Sequence, residues 1–211
     1  TALHSFESWG YHPNSSELIY AGRLTALFGA IGMLVVGASL YSLPRLCGTH
    51  LASESNATLV SLLWTLSVLL MFVGSQNAVI AGITILPIAN LLLTLASTAL
   101  VINLILTVSD ANQEIPFPGW LILFAFIGNI AAVLSVFISG AFDEGVGQWL
   151  LFHLAGGTFF FCGVAGVSLY SVSVGSGNPL WSKSLVAFTL FGAVITINPM
   201  GSTDPSMVVD L

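Results

Sequence analysis

The chain has 211 residues, with three Lys+Arg, nine Asp+Glu and a formal net charge of -6; 56% of it is hydrophobic and only 6% charged. Soluble domains carry about 25% charged residues. So little charge, together with a mean hydropathy of +0.99, cannot cover a water-facing surface. A soluble enzyme and a disordered tail are excluded, and three cations cannot track a phosphate backbone, which excludes nucleic acid as a partner. The expected solvent is the lipid bilayer.

A bilayer core about 30 Å thick needs roughly 20 apolar residues per helix, and six uncharged runs of that kind follow one another. The first is Leu18 to Leu43, interrupted by Arg23 and closed by Pro44-Arg45. The stretch from Ser55 to Ser109 is too long for one crossing and has to fold back. Its break is expected near Gly74-Ser75-Gln76-Asn77 or Gly82, giving helices at Ala57 to Val73 and Ile85 to Val108, with Pro87 tolerated in the first turn of the latter. Asp110 to Pro118 reads as a loop. The fourth helix is Trp120 to Ser139, and Asp143-Glu144 marks the following turn. A fifth covers Trp149 to Val174, ended by Gly175 to Pro179, and a sixth covers Ser184 to Ile197.

The fold class is therefore all-α integral membrane, one bundle over 18–197 between terminal segments 1–17 and 198–211. With alternating passes, the loops holding Arg45 and Lys183 fall on one side. Positive-inside makes that side cytoplasmic, or matrix, and puts both termini outside, in the cell inner membrane or the mitochondrial inner membrane. Trp9, Trp120, Trp149 and Trp181 stand near predicted ends, where amphipathic rings belong.

Helices in lipid associate through small residues and a few polar bonds. In helix one Gly22, Ala26, Gly29, Ala30 and Gly37 recur near i+4 and read as one stripe; in helix five Cys162, Gly163 and Gly166, with Ala155 to Gly157, repeat the device. Plain helix packing accounts for both, and approach of a flat cofactor or a partner subunit is the other reading. Asn77, Asn90, Asn103, Asn129 and Asn198 are read as interhelical hydrogen bonds. Cys47 and Cys162 sit in different settings and are not expected to pair.

Two ionisable residues at membrane depth are the candidate cofactor-binding groups. Arg23, a turn inside helix one, could snorkel to the headgroups, pair with Glu17, or meet an acidic group such as a heme propionate. His153, a turn into helix five, could bond a carbonyl, ligate a metal or heme, or carry protons. A bis-histidine heme needs two such residues at matched depth on facing helices, so this chain alone supplies no metal site and no catalytic set.

Two stretches carry a family resemblance. Tyr20-Ala21-Gly22-Arg23 leads into a helix that leaves through Tyr41-Ser42-Leu43-Pro44-Arg45-Leu46-Cys47-Gly48, and Gly147-Gln148-Trp149-Leu150-Leu151-Phe152-His153 opens another. Their order resembles the catalytic subunit of the heme-copper oxidases, the terminal oxidase and nitric oxide reductase superfamily. By that resemblance the six passes correspond to the family's second through seventh helices, and His153 to a copper-ligating histidine. The family's heme histidine has no counterpart at Tyr20 to Arg23, and its paired histidines are replaced by Asn198-Pro199-Met200-Gly201. The resemblance thus implies a ligand-poor relative: a non-catalytic subunit of a respiratory electron-transfer complex that packs against other membrane subunits, any heme being held mainly by those partner chains. A small channel, carrier or scaffold is the alternative.

Overall fold

The computed structural model describes residues 21–75, 79–80, 82–111, 113–138 and 154–178, with 182, 184, 186–188 and 192. It is an all-α membrane bundle. Five of the described helices are long and apolar enough to cross a bilayer: α1 (Ala21–Leu46), α2 (Glu54–Gly74), α3 (Ile85–Ser109), α4 (Phe117–Ile138) and α5 (Leu154–Ser176). The sixth expected helix, Ser184 to Ile197, falls largely outside the described residues.

Several boundaries differ from expectation for local reasons. Helix α1 runs through Pro44 to Leu46: near a C-terminus the missing proline N–H costs a single rung of the ladder. The end is then closed by Cys47 N–H on the Leu43 carbonyl (3.0 Å) and Thr49 N–H on the Pro44 carbonyl (2.9 Å), around Gly48 at φ +62°. Helix α2 starts at Glu54 because Ser53 caps it, its hydroxyl accepting the Asn56 N–H at 3.1 Å, with the Glu54 carboxylate at the positive end of the helix dipole. Helix α4 starts at Phe117, with Pro118 in its first turn, where a proline forfeits no intrahelical bond.

The fold-back between α2 and α3 is a minimal antiparallel hairpin, β1 (Val79–Ile80) against β2 (Ile83–Thr84), with Gly82 at φ +80° in its turn. The two helices leave Gly74 and enter Ile85 so close together that a Cβ on Gly74 would stand 2.6 Å from the Leu86 nitrogen. The bundle thus has two ends. Helices α1, α3 and α5 finish, and α2 and α4 begin, at the end marked by Arg45; the hairpin lies at the other.

Helix α2 shows how its faces divide. Leu59, Leu62, Leu66, Leu69 and Val73 are exposed, recurring every three to four residues, whereas Val60, Trp64, Ser67, Val68, Met71 and Gly74 are buried. Leucines go to lipid, and residues that pack closely or bond go inward, as expected where hydrophobicity cannot distinguish the two faces.

Candidate functional site

The middle of the bundle is an aromatic cluster built from four helices. Phe159 of α5 stacks on Phe28 of α1, with centroids 6.3 Å apart and planes at 13°. It also meets Trp64 of α2 at 5.8 Å and Phe126 of α4 at 5.7 Å, both tilted. All four rings are fully buried. Offset and tilted ring pairs of this kind contribute about 0.5–1.5 kcal/mol each beyond area burial.

Two π-helical segments, Thr25–Ile31 in α1 and Leu154–Phe161 in α5, supply Phe28 and Phe159. A π turn shifts each N–H to the carbonyl five residues back and widens the helix, so it persists only where tertiary contacts hold it. Here side chains help satisfy the displaced carbonyls. Thr25 donates its hydroxyl to the Ala21 carbonyl at 2.8 Å, and Thr158 donates to that of Leu154. Trp64 Nε1–H reaches across from α2 to the Phe28 carbonyl at 2.7 Å, fully buried. Gly32 makes room for that indole: a Cβ there would lie 3.3 Å from Trp64 Cζ2. Trp64 was the functional-looking core residue that sequence reasoning missed. Its signal was position, since it is the tryptophan that lies in mid-span and not at an end.

The small residues sort into two kinds. In α5, Ala155 to Gly157, Cys162, Gly163 and Gly166 are buried; a Cβ on Gly163 would come within 2.5 Å of Val35 Cγ1 of α1, and one on Gly166 within 2.9 Å of Ile122 Cγ1 of α4, so that stripe is close packing of α5 on α1 and α4. The α1 stripe is split. Gly29 faces α2, where a Cβ would meet Val68 Cγ1 at 3.1 Å. Gly22, Ala26, Ala30 and Gly37 are exposed, and nothing among the described residues comes within 4 Å of the Cβ position of Gly22 or Gly37.

Arg23 is half-buried, two residues before the π segment of α1 and next to the outward Gly22. His153 lies outside the described residues, as does Glu17; Leu154, which follows His153 in sequence, opens the π segment of α5. The two segments adjoining Arg23 and His153 in sequence are packed on each other through Phe28 and Phe159.

Of the membrane asparagines, Asn129 of α4 donates to Ser97 Oγ of α3 at 2.6 Å, and that hydroxyl donates on to the Leu93 carbonyl at 2.8 Å. Asn103 bonds outside its own helix as well, but to a loop: its Nδ2–H donates to the Ser53 carbonyl (2.8 Å) and its Oδ1 accepts the Ser53 N–H (3.0 Å). Asn77 and Asn198 lie outside the described residues. The buried polar residues described are serines, threonines and asparagines, and no three His, Cys, Asp or Glu side chains gather among the described residues. Both cysteines are free and buried.

The chain matches no family model, no curated protein sequence and no solved structure.

Proposed function

We propose that this multi-pass membrane protein is a subunit of a respiratory electron-transfer complex, a ligand-poor relative of the heme-copper oxidase catalytic subunit that packs against redox-active chains. The observation that carries the reading is the outward face of α1. Gly22, Ala26, Ala30 and Gly37 are exposed there beside Arg23, sharing the outward face with the larger Met33 and Leu34, and small residues favour a helix interface because they let backbones approach. Its place beside the packed π segments is a second support, since π segments recur at functional sites. Arg23, and His153 by its adjacency in sequence, are the residues proposed to face an acidic edge of a cofactor held by the partner. The Arg45 side is proposed as cytoplasmic, or matrix.

A channel or carrier needs a polar path. In the described bundle the centre is filled by Phe28, Trp64, Phe126 and Phe159; both polar atoms of the Asn103 amide are hydrogen-bonded, and Asn129 donates to Ser97 while its buried Oδ1 has no partner. Purification of the native assembly followed by a reduced-minus-oxidised spectrum tests the proposal. Heme should co-purify, and a photo-cross-linker at Ala26 should capture another membrane subunit. An assembly with no redox centre, or ligand-dependent flux through the chain alone in proteoliposomes, overturns it.

A further inference from the structure

A hydroxyl buried in a bundle bathed by hydrocarbon is costly when it is left unpaired. Ser67, Ser75, Ser97, Thr107, Ser135 and Thr158 avoid that cost in one way: each donates its hydroxyl to a backbone carbonyl. The two remaining buried serines described, Ser39 and Ser42 of α1, do not. They are 0% and 1% exposed, and neither Oγ has a hydrogen-bond partner among the described residues, although a helical serine can turn back onto the carbonyl four residues earlier.

The two serines form a pair. Three residues apart on one helix, their Cβ atoms stand about 5–6 Å from each other on one face, and their neighbours on that face fix where it looks. Val35 lies against Gly163 of α5, and Leu43 lies against Gly119 of α4, 3.3 Å from the Cβ position there. Ser39 and Ser42 fall between those contacts, so they face the seam of α4 and α5 at the level of Gly166. A Cβ on Gly166 would stand 2.9 Å from the Pro118 carbonyl oxygen; glycine leaves that oxygen bare, and a carbonyl that serves a helix rung keeps a second lone pair. Size and charge decide the occupant. Full burial excludes a ligand much larger than water, and a cation needs a charge to offset its desolvation, whereas the buried polar residues described are neutral. A water with two hydrogen bonds of about 2.8 Å bridges about 5–6 Å, and a buried water takes about three partners.

We propose that Ser39 and Ser42 bind one internal water, which accepts their O–H groups, donates to the Pro118 carbonyl and so ties α1 to the α4–α5 seam between the ring cluster and the Arg45 end. This site is independent of the respiratory assignment. Thermal unfolding of the full chain in detergent, read as a double-mutant cycle, tests it. Ser39→Ala and Ser42→Ala should each lower the Tm by about 2–4 °C, since each strands the other hydroxyl. The double variant should fall no further than either single one, because no unpaired hydroxyl is left. A crystal of the wild type grown from a lipidic phase should show density within about 3.2 Å of both Oγ atoms, and it decides the matter where a variant folds poorly. Single variants that melt with or above the wild type overturn the proposal, as do losses that add in the double variant. So do crystallographic hydroxyls turned onto the Val35 and Ala38 carbonyls with nothing between them.

Discussion

In the aromatic middle of the bundle, helices meet through rings, glycines and one indole bond to a π-helical carbonyl. At the Arg45 end side-chain bonds instead tie loops to helix ends. Asn103 brackets Ser53, the Thr107 hydroxyl accepts the Ala52 N–H at 3.0 Å, and Gln113 Nε2–H donates to the Leu46 carbonyl at 2.6 Å. The difference follows from the solvent. In hydrocarbon, apolar surface gains little by leaving lipid, so helices hold by packing density and by bonds with no competitor. Near the headgroups, loops leave backbone groups that must find partners, and polar side chains from the helix ends provide them.

The comparison is broken most severely by emptying the aromatic middle. Trp64→Ala removes a fully buried ring from its contact with Phe159 and leaves the Phe28 carbonyl without its indole donor. A cost of about 3–5 kcal/mol is expected, read as a lowered Tm in detergent, with Trp64→Phe intermediate because it restores most of the volume but not the bond. Little change in Trp64→Ala would show that the ring cluster does not hold the helices together.

A smaller effect is expected at the other end. Asn103→Leu leaves the Ser53 N–H without its acceptor, while the Ser53 carbonyl keeps only the Ala57 N–H at 3.2 Å, costing about 1–3 kcal/mol. Hydrogen exchange should show the loss at Ala52 and Ser53 while amides around Phe28 and Phe159 keep their protection. Loss of protection spread evenly over both regions would mean that the two ends unfold as one unit.

The smallest effect concerns Cys47, just beyond α1. Burial pushes its thiol above the ordinary value of 9.0, so the neutral form is favoured in the folded chain. The stability this contributes is complete below pH 9 and declines as pH rises from there through the folded value. Maleimide labelling of Cys47 in the folded protein should therefore lag well behind that of an unfolded control at pH 8, and the lag should shrink as the medium becomes more alkaline. Equal rates at pH 8 would show the thiol to be open to water.

Helix α3 was expected at Ile85 to Val108 and runs Ile85–Ser109, because its ends are marked by a fold-back and by Asp110. Apolar run length alone starts α2 at Ala57, three residues after the Ser53 cap that begins it at Glu54; a serine hydroxyl announces a cap only when the next residues are known to turn. In α5 the small-residue stripe packs inward as read, but in α1 a stripe of the same composition is divided between Gly29, which faces α2, and Gly22, Ala26, Ala30 and Gly37, which face out. Spacing could not show that division, because a π turn shifts the register of every residue after it relative to an ideal 3.6-residue helix.

By itself, the sequence determined that hydrocarbon bathes this protein, that it crosses several times, and where most crossings end. Those follow from charge scarcity, run length and breaker residues, which act locally. Which face of each helix meets lipid, that Phe159 gathers rings from three other helices, and that Ser39 and Ser42 turn inward together were decided only by tertiary structure. In a chain apolar on every side, one-dimensional pattern carries no inside or outside, and only contact between helices supplies it.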